Sequence, residues 1–267
     1  MSDPRPIGVF DSGIGGLTVL KEMVRLIPGE SYVYLGDTAR VPYGTKSHKT
    51  VVRYSLNNVR ILLENDVKMI VIACNTASSH ALPELERSVS APVVGVIEGG
   101  VAAAVERTSG RIGVIGTEAT ISSGAYRDAI KEKLPDAEVI SRACPLFVAL
   151  AEEGWVDNAV ARAVAKEYLE RDFRGRVDTL VLGCTHYPLL KKTIQDTLGP
   201  ETRLIDSAEQ TAILVSHRLK ELDAESGSEG RGEIRFMVTD SPERSLEIGK
   251  RMLGGIEMDD VELVDVS

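Results

Sequence analysis

Aromatic residues are scarce in this chain, at 4% of its 267 positions, and cysteines scarcer still, with three. The first scarcity leaves a core of Val, Ile, Leu and Ala, as α/β proteins have, within a hydrophobic fraction of 43%. The second argues against a disulfide framework, because an odd number of distant cysteines does not staple a chain this long. No apolar run approaches the roughly 20 residues of a membrane span. The opening MSDPRPIGVFD has no apolar leader, since a strand-like run begins at once. The expectation is a cytoplasmic protein with reduced thiols and no membrane partner. Basic residues form no run, and 31 of them against 40 acidic ones leave a net charge of −9. That sign argues against a general nucleic-acid binder.

What the chain does have is alternation. Short β-branched apolar runs recur at Ile7 to Phe10, Tyr32 to Leu35, Met69 to Ala73, Val93 to Val96, Ile112 to Ile115, Leu180 to Gly183 and Ile234 to Val238. Between them lie segments with helical length and spacing, such as Ser47 to Asn65, Gly99 to Thr108 and Pro242 to Leu253. This order predicts parallel sheets covered on both faces, with ligands bound at the carboxyl ends of strands. The polar, glycine-rich stretch Asp223 to Gly232 predicts a mobile surface loop.

Two segments share one layout. Met69-Ile-Val-Ile-Ala-Cys74-Asn75-Thr76 and Thr179-Leu-Val-Leu-Gly-Cys184-Thr185-His186 each run from a buried strand through a small residue to a cysteine and small hydrogen-bonding residues. Their cysteines are 110 positions apart (184 − 74), about one domain length. The pairing predicts two similar doubly wound α/β domains with the active site between them. The first would span residues 1–98 plus 207–267 and the second 99–206, with crossings near Glu98-Gly99-Gly100 and Asp206-Ser207.

A cysteine after an apolar strand is commonly just a small buried hydrophobe. Two at the same strand-to-turn junction, where backbone amides and helix N-termini favour a thiolate, point instead to chemistry. Cys144 lacks such neighbours and reads as structural. Asp11-Ser12-Gly13-Ile14-Gly15-Gly16 follows the first strand, and its glycines permit close approach of a ligand. Its spacing is neither a dinucleotide fingerprint nor a Walker loop, and Asp11 or Ser12 also reads as a helix N-cap. In the loop Gly36 to Gly44, Tyr43 offers a hydroxyl and Gly44 an amide to a carboxylate, although Pro-Tyr-Gly alone is an ordinary turn. His186 lacks the second clustered pair of a zinc site, so no metal is expected; it reads as an acid/base neighbour of Cys184 or a helix N-terminal residue.

Taken together, Asp11-Ser-Gly-Ile-Gly-Gly, Pro42-Tyr-Gly, Ala73-Cys-Asn-Thr-Ala and Gly183-Cys-Thr-His-Tyr-Pro resemble the bacterial glutamate racemases of the Asp/Glu racemase superfamily, in order and over essentially the whole chain. The resemblance implies cofactor-independent racemisation of glutamate, with Cys74 and Cys184 transferring protons. It implies that Asp11 assists Cys74, and that His186 and Glu152 assist Cys184. Ser12, Tyr43, Gly44, Asn75, Thr76 and Thr185 would hold the substrate, together with Asp11 and His186. Glu98-Gly99-Gly100 departs from the family's usual Glu-Pro-Gly, which leaves the chemistry intact but puts hinge stiffness in question. A homodimer follows only by analogy, and D-glutamate would supply peptidoglycan.

Two opposed groups suit racemisation because neither must change faces. Ordinary cysteine titrates near ~8.5, so modest shifts adjust its ionisation. The carbanion, without a cofactor as electron sink, needs electrostatic stabilisation by amides and hydroxyls. Competing readings are a racemase for aspartate or a related amino acid, and a non-catalytic regulator that binds an amino acid or a partner protein.

Overall fold

The computed structural model describes residues 2–266. Two sheets, both wholly parallel, carry the architecture. The first half of the chain supplies β1 (Ile7–Asp11), α1 (Leu17–Leu26), β2 (Tyr32–Gly36), α2 (His48–Glu64), β3 (Met69–Ile72), α3 (Asn75–Ser88), β4 (Val93–Gly95) and α4 (Val96–Arg107). It continues with β5 (Arg111–Gly116), α5 (Glu118–Ser122), α6 (Ala125–Lys133), β6 (Glu138–Ala143), α7 (Leu146–Glu152), α8 (Ala159–Leu169) and β7 (Thr179–Gly183). The remainder is α9 (Lys191–Leu198), β8 (Arg203–Asp206), α10 (Ser207–Glu221), β9 (Ile234–Val238), α11 (Pro242–Leu253) and β10 (Glu262–Leu263).

The larger sheet has the order β10-β9-β2-β1-β3-β4 and the smaller β6-β5-β7-β8. Period-2 alternation divides each strand between two cores. Ile7 and Val9 of β1 join α1, α10 and α11 on one face, while Phe10 joins α2 and α3 on the other. In the smaller sheet, Leu180 and Leu182 of β7 face α7, α8 and α9, and Val181 faces α4 and α6. The central strands β1, β3 and β7 are buried at every position, which is why they read as continuous apolar runs. Among the described residues no helix is long and apolar enough to cross a membrane.

The chain leaves the larger sheet after β4, builds the whole smaller sheet, and returns for β9 and β10. The two sheets are tied by helices: α10 packs against both α1 and α4. Glu98-Gly99-Gly100, expected as a connecting segment, lies inside α4, which starts at Val96 and not at Gly99. The departure from Glu-Pro-Gly is therefore two glycines within the packed helix that runs from β4 of the larger sheet to β5 of the smaller.

Three strands escaped the sequence reading. β6 and β8 are the edges of the smaller sheet, and β10 an edge of the larger. Edge strands are half exposed, so Glu138, Arg142 and Arg203 interrupt their apolar pattern. The stretch from Asp223 to Gly232 is mostly exposed and has no helix or strand, but Ser226 fastens it through its amide to Glu30 (2.8 Å) and its hydroxyl to the Gly29 carbonyl (2.7 Å).

The two glycines of α4 make opposite demands. A methyl at Gly99 would meet the Gln210 backbone of α10 at 2.9 Å, whereas one at Gly100 would make ordinary contacts at 3.4 Å or more. Helix propensity favours Ala over Gly by about 1 kcal/mol, but overpacking against rigid backbone costs about 1–3 kcal/mol. Gly99→Ala should therefore lower the urea midpoint and Gly100→Ala raise or preserve it. Equal shifts in one direction would show that the α4–α10 contact is not tight.

Candidate active site

The carboxyl ends of β1, β3 and β7 converge, and each delivers a reactive side chain as the strand ends. Asp11 is the last residue of β1. Cys74 follows β3 by two positions and is the N-cap of α3, its sulfur accepting the Ala77 amide at 3.4 Å. Cys184 follows β7 directly, and Thr185 and His186 come next. Both cysteines, 5% and 6% exposed, line a cavity of about 30 Å³ with Ser12, Val41, Pro42, Tyr43, Gly44, Asn75, Thr76, Thr117, Val148, Thr185 and His186. The cavity thus collects both cysteines and seven of the eight expected substrate-binding residues, Asp11 lying outside its lining.

Asp11 lies on the Cys74 side and reaches across to the other. Its carboxylate accepts the Gly13 amide at 2.9 Å and the Thr185 hydroxyl at 3.5 Å. Complete burial raises its pKa, opposed by the nearby His186 charge and by the amides of Gly13, Gly16 and Ser12. Cys74 donates toward Ser12 Oγ at 3.4 Å. Burial, reinforced by the Asp11 charge, pushes the Cys74 thiol up to about 12, so it rests protonated at neutral pH.

Cys184 has a different setting. Its sulfur is 3.9 Å from His186 Nδ1, and His186 Nε2 is 3.2 Å from Glu152 Oε1, a carboxylate brought in by α7. Burial alone would push the imidazole down; its bonds to Cys184 and Glu152 outweigh that and hold it at about 10. The His186 bond in turn holds Glu152 below the usual carboxylate range, against the effect of burial. Cys184 therefore faces an imidazolium. Glu152 stands behind the histidine and outside the cavity lining.

Around the sulfurs stand fixed hydrogen-bonding groups. Asn75 Oδ1 accepts the Tyr126 hydroxyl at 2.6 Å, while Asn75 Nδ2 is buried without a partner. Among the described residues, Asn75 is the only cavity-lining side chain with such an unmet donor, as a site for an acceptor ligand requires. The Thr76 hydroxyl meets Thr117 (2.9 Å) and Thr120 (3.1 Å) across the gap between α3 and α5. Tyr43 and Gly44 form a short 3-10 turn. Gly44 fits so closely that a methyl there would lie 2.7 Å from Thr117 Cβ. The Tyr43 hydroxyl donates to buried Asp37.

Thr117 and Val148 line the cavity but were missed from sequence. Thr117 follows β5, so the rule that found the cysteines applied to it as well; Val148 sits in α7 with no local signal. Gly15 reads in sequence as permitting close approach of a ligand, and what approaches it here is the turn after β7. A methyl there would fall 2.4 Å from Thr185 Oγ1 and 2.5 Å from His186 Cε1, so glycine is required by close approach. Cys144 is buried, pushed up to about 12 by burial, and outside the cavity lining. Among the described residues no cluster of three or more His, Cys, Asp or Glu could hold a metal.

The His186–Glu152 pair has a definite pH signature. A folded-state pKa of about 10, above the unfolded ~6.5, contributes stability that is full below ~6.5 and lost as pH rises to about 10. Glu152→Gln should bring the His186 NMR titration midpoint down toward ~6.5. It should also destabilise the protein more at pH ~6 than at pH ~10. An unmoved midpoint would mean that Glu152 does not govern the imidazole.

Comparison with known proteins agrees with this arrangement. The model of the Asp/Glu/Hydantoin racemase family matches residues 7–215. A glutamate racemase of Geobacter metallireducens is 55% identical over 253 residues, covering 94% of this chain and 93% of the relative. One from Chlorobaculum tepidum is 47% identical over 266 residues, covering 99% and 97%. Among solved structures, the glutamate racemase of Francisella tularensis in complex with D-glutamate superposes with a TM-score of 0.93 at 40% identity, covering 99% of both chains. The chain belongs to the Asp/Glu/Hydantoin racemase family, among its glutamate racemases, and is an amino-acid racemase.

Proposed function

We propose that this racemase interconverts L- and D-glutamate without a cofactor, using Cys74 and Cys184 as the paired acid and base. The observation that carries the reading is that both sulfurs line one buried cavity, delivered from equivalent strand ends of two different sheets. One cysteine as thiolate removes the α-proton from one face of the amino acid. The other, as thiol, returns a proton to the opposite face, and the protonation states are exchanged at the end of the turnover. Nothing is oxidised or reduced, and because the enantiomers have equal free energy in achiral solvent, no energy source is needed.

The resting state is asymmetric. Cys74 is the thiol, with its proton directed at Ser12 and Asp11 close by to relay it. Cys184 faces the His186 imidazolium in place of a carboxylate. Asp11 and His186 hand protons to and from their own sulfur, and Glu152 keeps the imidazole charged and oriented. The free Asn75 Nδ2, the Thr185 and Ser12 hydroxyls and the Gly44 amide would hold the substrate carboxylates and stabilise charge spreading into the carboxylate as the α-proton leaves. A cavity of about 30 Å³ holds one or two waters and not an amino acid, so its walls must part for binding and close for reaction.

Glutamate is the substrate favoured by the Francisella tularensis relative, solved in complex with D-glutamate. D-Glutamate made here would supply peptidoglycan synthesis, and a homodimer is the assembly we expect by analogy. In deuterated water, with neither cofactor nor metal added, L-glutamate should lose optical activity while gaining α-deuterium. No change in either signal from folded, reduced protein would reject the reading, and faster turnover of aspartate would reassign the substrate. Cys74→Ser and Cys184→Ser should each lower racemisation by about 10²–10⁴-fold or more, while one-sided exchange or elimination at the α-carbon persists through the remaining thiol. Near-normal racemisation by either variant would remove the two-thiol mechanism.

A further inference from the structure

The loop between β2 and α2 reaches the cavity at Tyr43 and Gly44, yet its body has little to hold it. Ala39, Val41 and Pro42 are exposed. Tyr43 seats the far end of the loop in the apolar cluster with Phe10 and Val51, and the other ties are polar. Asp37, fully buried at the head of the loop, receives donors from several separate parts of the chain. Arg40 Nε donates to its carboxylate at 2.8 and 2.9 Å, and Thr239, just past β9, donates its hydroxyl at 3.1 Å. The Tyr43 hydroxyl donates to it as well. Asn58 of α2 completes the ring, donating to Tyr43 Oη at 3.0 Å and accepting from Arg40 at 2.9 Å. The Arg40 guanidinium also lies 4.3 Å from the centre of the Tyr54 ring, which sits 5.6 Å from that of Tyr43.

We infer that Asp37 is a positioning residue for substrate binding: its carboxylate ties both ends of the loop together and so holds the Tyr43–Gly44 turn at the cavity wall. This rests on the glutamate reading above. Two features distinguish the role from general support. The Asp37 backbone amide donates to the Asp11 carbonyl at 3.0 Å, so the hub is registered against the strand that ends in the catalytic loop. The carboxylate also claims the Tyr43 hydroxyl, which burial and the Asp37 charge keep protonated. Tyr43 thereby acts as a strut, and the turn faces the substrate with its remaining surface. Neither sulfur, nor Asp11 Oδ, nor His186 takes part in the network, so losing it should weaken binding and spare proton transfer.

Asp37→Asn keeps the shape but removes the charge and replaces one acceptor with a competing donor. Tyr43→Phe removes one strut and keeps the ring. Asp37→Asn should raise KM for glutamate by about 10–100-fold in both directions with kcat within about 3-fold of wild type, and Tyr43→Phe should show the same split on a smaller scale. A readout independent of activity is tryptic cleavage of the ligand-free full-length protein at the Arg40–Val41 bond. Cleavage should accelerate by about 10-fold in Asp37→Asn if the carboxylate anchors the loop. Loss of kcat with KM unchanged, or cleavage at the wild-type rate, would overturn the assignment. Absence of glutamate turnover by the wild-type protein would reject the function reading alone, and the cleavage rates would still decide whether Asp37 anchors the loop.

Discussion

Two sulfurs share one buried cavity, each delivered by the end of a parallel strand in a different sheet, and the placement of both sheets follows from that meeting. A parallel strand releases its last residue into a turn whose amides point at whatever lies beyond the sheet edge. β3 and β7 each end this way, and the smaller sheet is placed so that the two ends share one gap. Burial keeps water from the sulfurs, but it also opposes the thiolate form of a cysteine. The charged groups beside the sulfurs add to that penalty or oppose it.

Those charges differ on the two sides. Cys74 has a carboxylate neighbour and is pushed up to about 12, while Cys184 has an imidazole held at about 10. A shift of one pKa unit is about 1.4 kcal/mol, so burial beside a carboxylate is ample to hold Cys74 as the thiol at neutral pH. Asp11 and His186 are electrostatically coupled, and the Thr185 hydroxyl reaches Asp11. A change of charge on one side is therefore felt on the other.

Close approach is the other condition. Gly15 against Thr185 and His186, Gly44 against Thr117, and Gly99 against the α10 backbone leave no space for a methyl group. The first two bring elements of the larger sheet into contact with residues of the smaller one, and the third locks α4 to α10. The loop at Asp37 achieves the same precision by polar means, because its exposed body has no core to rest on.

The sequence by itself determined a good deal. Buried central strands must be continuous apolar runs, so β1, β3 and β7 were legible, and with them Asp11, Cys74 and Cys184 at their ends. Edge strands β6, β8 and β10 were not, because half-exposed strands carry charges that blur the pattern. Glu98-Gly99-Gly100 read as a connection because glycine propensity is local, whereas the contact with α10 that favours glycine there is not. The family resemblance suggested Glu152 and His186, but only tertiary structure set them 3.2 Å apart across 34 positions of chain. Tertiary structure also decided that Tyr43 gives its hydroxyl to Asp37, that Thr117 and Val148 complete the cavity, and that Cys144 stays out of it. Strand chemistry is written in neighbouring residues; the distances between charges on different strands arise only when the sheets come together.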